Sequence, residues 1–228
     1  MILLAINYVN YSDGGKKIYQ DRALTILEKN RPSNCTCVTF NFSDEHVTPP
    51  SFLLKDSITR DSSKTIRNNR KLPYIKEILN ACCDRYNADI FGYMNSDILL
   101  PKSFFSLLNL EHDAYLFQRF EVMENADLTV FTKKGCSLDN IIKYSEEHHG
   151  YDAVFFKKTW WQKYRRKFNE DLILGEPLWD WYYHKVTTDY TKNALEKRAL
   201  YHVYHTTTWN TRSPGALNND RILNGGKP

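Results

Sequence analysis

The sequence predicts an α/β fold with a mostly parallel central sheet flanked by helices. The stretch Ile2 to Val9 is almost wholly apolar, which is typical of a strand covered on both faces. Lys16 to Lys29 then repeats apolar residues at helical spacing, and Cys35 to Phe42 alternates like a second strand. A strand, a helix and a second strand in succession, over about 30 residues or more, form a βαβ unit. The two strands are therefore expected to run parallel.

The remaining chain continues this alternation. In chain order, we predict a helix with Pro73 in its first turn and an apolar face from Leu72 to Tyr86, a strand at Ala88 to Met94, a short helix at Phe104 to Leu110, a strand at Ala114 to Val122, a helical face from Leu138 to Ser145, a strand at Asp152 to Lys157, a helix at Leu178 to Val186 and a strand at Tyr201 to Thr207. Residues 43–64 are polar and contain Pro49-Pro50, which predicts a long loop. No internal repeat or linker is visible, so we expect one domain over residues 1–210 and a loosely ordered tail at 211–228.

Composition excludes several classes of protein. Of 228 residues, 42% are hydrophobic and 14% aromatic, enough for a substantial core, so an intrinsically disordered chain is excluded. The net charge of +4 is too small and too evenly spread to indicate a nucleic-acid partner. The five cysteines show no zinc-type Cys-x-x-Cys spacing, which favours free thiols in a reducing compartment. No apolar run approaches the roughly 18 residues of a membrane span, so we expect a cytoplasmic protein that is at most peripheral to a membrane.

Polar side chains follow three of the predicted strands. They occur at Asn7-Tyr8-Val9-Asn10, at Asn41 to Asp44 and at Asn95-Ser96-Asp97. In open α/β sheets, ligands bind beyond the carboxyl ends of the parallel strands, so these three segments outline one candidate site. Asp97 suits a divalent cation such as Mg²⁺ or Mn²⁺, although a role as a turn or helix-capping residue explains it equally well at this point.

Three other segments contain residues suited to chemistry. The run Arg67 to Lys71 precedes a predicted helix, where it suits a pyrophosphate, although it also fits a solvated charge cluster. Glu176 and Asp180 are four residues apart and would share one helix face among aromatic residues, a setting that can tune a carboxylate for general-base work. Because Gly175 and Pro177 favour a helix start, Glu176 also has a structural interpretation. His202 and His205 are three residues apart, so on a regular strand only one of them faces the site. That histidine could be a Mn²⁺ ligand, although an ordinary core histidine is the alternative.

Together these segments resemble the GT-A family of nucleotide-sugar-dependent glycosyltransferases, particularly those that build surface glycans. The resemblance covers about residues 1–210. The residues that carry it are the N-terminal strand-helix-strand, Arg67 to Lys71, and the segments ADIFGYMNSDILL, GYDAVFFKK, LILGEPLWDW and YHVYH.

The resemblance implies a nucleotide-sugar-binding half at residues 1–100 and an acceptor-binding half at 101–210. It also implies Mn²⁺ or Mg²⁺ held by an Asp-x-Asp motif after the fourth strand. Asn95-Ser96-Asp97 occupies that place, with Asn95 where the family has its first acid. Asp97 is then the metal ligand, and His205 completes the metal shell, with His202 as the second choice.

The same resemblance implies roles for the other candidates. The residues implied in donor binding are Asn7, Tyr8, Asp44, Arg67, Asn69, Arg70, Asn95 and Ser96. Asp152 and Trp179 would line the sugar or the acceptor. Asp180 matches the general base of an inverting enzyme, and Glu176 is the second candidate catalytic carboxylate.

We therefore expect metal-dependent transfer of a sugar, most commonly from a UDP-sugar, to a hydroxyl of a glycan, glycoprotein or glycolipid. One alternative is a sugar-phosphate nucleotidyltransferase, but Asn10 to Lys17 has two glycines without the Arg and Lys signature of that class. A second alternative is a non-catalytic carbohydrate-binding module, in which the aromatic stretch 159–183 only docks a glycan.

Overall fold

The computed structural model describes residues 1–11, 14–67, 70–132, 150–204 and 211–225, with the backbone alone for 61–67 and 70. The strands are β1 (Ile2–Ile6), β2 (Cys35–Phe42), β3 (Leu54–Ile58), β4 (Asp61–Arg67), β5 (Arg70–Pro73), β6 (Ile90–Met94), β7 (Ile98–Leu99), β8 (Ala114–Val122), β9 (Tyr151–Lys157) and β10 (Ala194–Val203). The α-helices are α1 (Gly14–Asn30), α2 (Ile75–Arg85), α3 (Lys158–Tyr164), α4 (Trp179–Tyr190) and α5 (Pro214–Leu223). Short 3-10 helices lie at Lys102–Leu107, Leu128–Phe131 and Arg165–Lys167.

One eight-stranded sheet of order β3-β2-β1-β6-β9-β8-β10-β7 forms the centre of the molecule. Its N-terminal half is parallel, because β1 pairs in parallel with β2 and β6, and β2 with β3. The second half is mixed: β9 runs antiparallel to β6 and β8, while β10 is parallel to β8 and antiparallel to β7. The predicted α/β fold is confirmed, and the antiparallel pairings of this eight-stranded sheet are confined to its second half.

Strand β1 is apolar throughout because both of its faces are covered. Leu3 and Ala5 belong to a cluster that includes the buried face of α2. Leu4 and Ile6 belong to a second cluster, which includes Leu24 of α1. This double covering is the physical reason for the continuous apolar run that the sequence shows.

The predicted loop at 43–64 is wrong in its second part. Strand β3 extends the sheet at its edge beside β2, and β4 begins a separate antiparallel hairpin with β5. Most side chains of β3 are exposed, so its sequence LKDSI carries no apolar alternation. Backbone pairing with β2 defines this strand, and a pattern of side chains could not reveal it.

The predicted loosely ordered tail is also wrong over Pro214–Leu223, which form α5. The Ser213 hydroxyl caps this helix by accepting a hydrogen bond from the Ala216 amide at 3.0 Å. Ile222 is buried in the same cluster as α2 and α4 residues. The glycines and polar residues of this segment suggested a flexible end, but contacts with distant parts of the chain stabilise a helix.

The predicted helical face from Leu138 to Ser145, together with Cys136, lies outside the described residues. The described helices include none that is both long and apolar enough to cross a lipid bilayer.

Candidate active site

Six charged or polar side chains from four segments converge at one edge of the sheet. Three of these segments are the residues after β6 and the carboxyl ends of β8 and β10; the fourth is the amino end of β9, which runs antiparallel to β6 and β8. The converging residues are Asn95, Asp97, Arg119, Glu121, Asp152 and His202. This is the edge at which an open α/β sheet binds its ligands.

A break in strand pairing places Asp152 in this group. In the ladder between β8 and β9, Phe117 pairs with Ala153 and Gln118 pairs with Tyr151, so Asp152 has no partner opposite. Such a bulge bends the strand and changes where a side chain points. Asp152 is 4% exposed, and its carboxylate is directed among the other charged residues.

Asn95 makes two hydrogen bonds to Asp152. Its amide Nδ2 donates to Asp152 Oδ1 at 2.8 Å, and its backbone amide donates to the Asp152 carbonyl at 3.0 Å. An aspartate at this position could not donate, and its charge would face that of Asp152. The asparagine is therefore matched to its neighbour in this chain.

Arg119 joins the two buried carboxylates of the cluster. Its Nε donates to Glu121 Oε1 and its Nη1 donates to Asp152 Oδ1, each at 2.6 Å. The Arg119 side chain is 14% exposed, so this pairing takes place largely out of water. Asp152 Oδ2 is also buried and accepts no hydrogen bond from any described residue. A buried oxygen of this kind is suited to accept a hydrogen bond from a ligand.

His202 lies between two carboxylates. Its Nδ1 is 2.7 Å from Glu121 Oε2, and its Nε2 is 3.3 Å from Asp97 Oδ2. Burial alone would lower the pKa of His202, but Asp97 and Glu121 together raise that pKa to about 9. Burial would likewise raise the pKa of Glu121, but His202 and Arg119 lower it to about 2. The arrangement concentrates negative charge around the imidazole.

The donor atoms of Asp97 and His202 fit a divalent metal ion. Two ligand atoms about 2.1 Å from one ion and at right angles lie about 3.0 Å apart, close to the observed 3.3 Å. Metal-binding histidines commonly donate their second ring N–H to a carboxylate, the position that Glu121 holds here. Within the described residues, no group of three His, Cys, Asp or Glu side chains converges as a complete ligand set. The predicted ligand His205 lies outside the described residues.

Gln20, from the centre of α1, holds the backbone of Val9 and the side chain of Ser96 next to this cluster. It is fully buried, and its Oε1 accepts from the Val9 amide at 3.1 Å and from the Ser96 hydroxyl at 2.8 Å. Its Nε2 donates to the Val9 carbonyl at 2.8 Å. One side chain thus links the loop after β1 to the Asn95-Ser96-Asp97 segment, and the hydroxyl of Ser96 is directed to Gln20.

Asp180 lies in the first turn of α4, beside Asp152. Its Oδ2 accepts a hydrogen bond from the Tyr151 backbone amide at 2.8 Å. Burial raises the pKa of Asp180 to about 6, the Tyr151 amide opposes this rise, and the charge of Asp152 adds to it. A carboxylate whose pKa lies near neutrality is suited to general-base catalysis. The preceding turn carries Leu178 at φ 75°, a left-handed conformation that costs a branched side chain about 1–3 kcal/mol.

Two other candidates on this segment, Glu176 and Trp179, are buried and contact neighbouring elements of the fold. Glu176 is 4% exposed, and its Oε2 accepts from Ser213 Oγ at 2.7 Å, so it anchors the start of α5. Trp179 is 6% exposed and packs edge-on against Tyr93, with ring centroids 5.8 Å apart. Trp179 therefore packs in the core, and its predicted contact with the sugar or the acceptor stays a prediction.

The predicted donor-binding residues differ in burial and location. Asn7 and Tyr8 are 6% and 4% exposed, and Asn7 Nδ2 donates to the Phe40 carbonyl, so both stabilise the carboxyl end of β1. Asp44 is 65% exposed at its side chain and pairs with Lys71 Nζ at 2.7 Å. The structure places Arg67 and Arg70 opposite each other in the β4–β5 hairpin. Asn69 lies outside the described residues.

Sequence reasoning missed Gln20, Arg119 and Glu121. A usable signal was present for the last two, because they interrupt the strand AYLFQRFEV at alternate positions and so share one face. Charged residues on a buried strand are paired or bind ligands. Gln20 gave no such signal, since a polar residue on a helix is ordinarily exposed.

No family model and no curated protein matches the chain. Among solved structures, residues 1–349 of S. aureus TarS in complex with UDP-GlcNAc share a TM-score of 0.57 at 9% identity, over 97% of this chain and 64% of that chain. Full-length S. aureus TarS gives 0.55 at 10% identity, over 97% of this chain and 38% of that one. The mannosyltransferase PcManGT from Pyrobaculum calidifontis, in complex with GDP-Man and Mn²⁺, gives a TM-score of 0.49 at 11% identity, over 92% of this chain and 58% of that one.

At these identities the likeness shows the fold alone. The chain has a GT-A-like glycosyltransferase fold, as the resemblance in sequence implied. It spans 64% of the length of the TarS fragment that it resembles.

Proposed function

We propose that this GT-A-like chain is a glycosyltransferase that moves a sugar from a nucleoside diphosphate sugar, with UDP favoured, to a hydroxyl of a glycan or glycoconjugate. The observation that carries the proposal is the grouping of Asp97, Asp152 and Asp180 at the ligand-binding edge of the sheet. The three carboxylates have different surroundings, which suits them to different tasks. The TarS complex with UDP-GlcNAc supports a nucleotide-sugar donor for this fold.

Asp180 is the general base in this proposal. Its pKa of about 6 leaves it ionised at neutral pH yet basic enough to take a proton from a hydroxyl in the transition state. The Tyr151 amide holds one carboxylate oxygen and so orients the group. The acceptor hydroxyl attacks the anomeric carbon while its proton passes to Asp180, in a single in-line displacement that inverts the configuration of that carbon. The nucleoside diphosphate leaves from the opposite face.

Asp152 and Arg119 position the donor sugar. Asp152 Oδ2 is the buried oxygen that a hydroxyl of the donor sugar can satisfy, since Oδ1 is already held by Asn95 and Arg119. Arg119 also balances the negative charge of Asp152 and Glu121. Truncating it would leave buried carboxylates uncompensated.

Asp97 and His202 would hold Mn²⁺ or Mg²⁺, and His205 remains a predicted additional ligand. The ion would supply positive charge for the departing diphosphate. Glu121 fixes the orientation of the His202 ring through Nδ1, whichever cation is bound.

The decisive experiment compares Asp180→Asn with wild type. A panel of nucleotide sugars is first screened for thermal stabilisation with and without Mn²⁺, and the best donor is used for turnover. We expect Asp180→Asn to reduce transfer by at least about 100-fold, because general-base catalysis contributes about 10²–10⁴-fold, while donor binding stays close to that of wild type.

Asp189→Asn is the matched control. Asp189 is an exposed acid on the same helix, so its substitution is expected to leave transfer at the wild-type level. Wild-type turnover in Asp180→Asn would overturn the assignment of the base. Absence of both transfer and donor hydrolysis in the wild type, despite donor binding, would favour a non-catalytic binding module.

A further inference from the structure

A patch of aromatic and charged side chains lies next to Asp180 and has no role in the mechanism above. We call it the acceptor patch, and its members are Tyr151, Trp181, His184 and Glu196. Tyr151 begins β9, Trp181 and His184 lie on α4, and Glu196 lies on β10. The patch is continuous with the proposed base, because the backbone amide of Tyr151 is the group that holds Asp180.

Tyr151 is the centre of the patch. It is 5% exposed, its ring stacks on His184 at 4.8 Å and 12°, and its hydroxyl donates to Glu196 Oε2 at 3.1 Å. Burial and the neighbouring Glu196 raise its pKa, so the phenol stays protonated and keeps donating. One residue thus connects the base, through its backbone, to the rest of the patch, through its side chain.

Trp181 is the exposed aromatic member of the patch. It is 39% exposed, whereas Trp160, Trp161 and Trp179 are 5%, 0% and 6% exposed. Its indole meets the rings of Tyr151 and His184 nearly at right angles, at 83° and 81°. These contacts restrict the orientation of the indole, which stays partly exposed. An exposed, oriented indole is suited to pack against the apolar C–H face of a sugar ring.

His184 and Glu196 supply hydrogen-bonding groups beside the indole. His184 Nε2 is 3.1 Å from Glu196 Oε2, which also accepts from Tyr151. The Glu196 side chain is 44% exposed, so its carboxylate remains accessible to a ligand. Aromatic area with a few fixed polar groups is the usual composition of a specific small-molecule site.

We propose that the acceptor patch binds the terminal sugar of the acceptor, an uncharged pyranose that stacks on Trp181 and donates a hydroxyl hydrogen bond to Glu196. This assignment rests on the proposed function, because it places the acceptor beside the base Asp180. The carboxylate of Glu196 selects against acidic sugars, whose own carboxylate would lie near it. The acceptor class is therefore a neutral carbohydrate, and Trp181 and Glu196 determine specificity.

Binding is tested on the full chain without donor or catalysis. The probes are methyl β-glucoside, methyl N-acetyl-β-glucosaminide and methyl β-glucuronide, measured by ligand-observed saturation-transfer NMR. We expect the wild type to bind at least one neutral glycoside more tightly than the glucuronide. Trp181→Ala should weaken the binding of the neutral glycoside about tenfold. Glu196→Gln should reduce the difference in affinity between the neutral and the acidic probes.

Tyr190→Ala is the matched control for the aromatic substitution. Tyr190 is 38% exposed at the other end of α4, where it packs on Tyr164. The control is expected to bind the glycosides as the wild type does. The proposal would be overturned if Trp181→Ala and Tyr190→Ala lost affinity for the glycosides equally, or if Trp181→Ala lost none. It would also be overturned if neither neutral probe bound the wild type.

Kinetics on the best donor separate this assignment from the proposed function. The acceptor KM of Trp181→Ala should rise about tenfold relative to its donor KM, because the lost contact is made to the acceptor only. If no nucleotide sugar is turned over but Trp181-dependent glycoside binding is measured, the proposed function fails and the sugar site remains. If transfer occurs and the acceptor KM of Trp181→Ala is that of the wild type, the acceptor patch fails and the enzyme remains.

Discussion

Asn95 supplies an amide donor in a site crowded with carboxylates. Its Nδ2 donates to Asp152 Oδ1 at 2.8 Å. We expect Asn95→Asp to lower the free energy of unfolding by about 1–3 kcal/mol, because a buried hydrogen bond is replaced by a contact between like charges. Urea denaturation at pH 7 measures this change.

The control for this substitution exchanges the two groups. In Asn95→Asp combined with Asp152→Asn, the amide and the carboxylate have changed places, so the donor–acceptor pair is restored. We expect the double variant to recover part of the lost stability, which a double-mutant cycle expresses as a coupling energy. Additive effects of the two substitutions would show that the Asn95–Asp152 contact does not determine the stability of the segment.

The pKa of Asp180 gives the pH dependence of the proposed reaction. Burial, with a contribution from the charge of Asp152, raises this pKa to about 6. A general base acts only when ionised, so kcat/KM should increase about tenfold per pH unit below pH 6 and level off above it. The acidic limb is measured between pH 5 and 8 with the best donor. A flat profile across that range would contradict the assignment of Asp180 as the base.

At the scale of elements, α5 supports the segment that leads to Asp180. Asn219 is fully buried; its Oδ1 accepts from the Ile173 amide at 3.0 Å, and its Nδ2 donates to the carbonyls of Ile173 and Pro177 at 2.9 and 3.0 Å. Asn219→Ala would leave three buried backbone groups without these partners. We expect it to lower the free energy of unfolding by about 3 kcal/mol or more, since each unsatisfied group costs about 1–3 kcal/mol.

Leu217→Ala is the control on the same helix. Leu217 is 55% exposed, so its truncation should change the free energy of unfolding by less than about 0.5 kcal/mol. Both variants are compared by urea denaturation and by activity. If α5 supports the site as described, Asn219→Ala also lowers transfer, while Leu217→Ala does not. Equal stability of the two variants would contradict the role given to Asn219.

The elements that could be predicted from sequence are those with a regular side-chain pattern. The predicted bounds of the strand at Ala114–Val122 are the observed bounds of β8, because its apolar residues are buried within the sheet. The edge strand β3 and the helix α5 were missed, since long-range contacts of polar residues or of the backbone define them. A local pattern does not contain those contacts.

The close approach of β6 and β9 could not be predicted from a local pattern either. A Cβ atom on Gly92 would lie 2.2 Å from the Val154 carbonyl oxygen, so only glycine fits at this point. In the sequence, Gly92 reads as a weak position within a strand. The packing of β9 on β6 explains it as a requirement.

At the scale of the whole molecule, the candidate site forms where the parallel half of the sheet meets the mixed half. Asp97 follows the last strand of the parallel half, whereas Glu121, Asp152 and His202 come from the mixed half. The sequence indicated Asp97 and Asp180 through local motifs. It could not indicate that Arg119 pairs with Asp152, because 33 residues and a bulge separate them.

A site formed between the two halves should stabilise the whole fold when it is occupied. We expect UDP with Mn²⁺ to raise Tm, because a ligand at 100 times its Kd adds about 2.7 kcal/mol to the free energy of unfolding. For a chain of 228 residues this corresponds to an increase of several degrees, at about 2–4 °C per kcal/mol. The increase should fall when EDTA replaces Mn²⁺, since the cation proposed to bind at Asp97 and His202 would then be removed.

Asp97→Asn isolates the metal contribution to that increase. We expect this variant to lose the Mn²⁺-dependent part of the Tm shift, because an amide is a weaker ligand than a carboxylate for a hard cation. Asp189→Asn, on the exposed side of α4, should retain the whole shift. A shift that is the same in Asp97→Asn as in the wild type would place the metal elsewhere. A shift unaffected by EDTA would mean that the two halves bind the nucleotide without a cation.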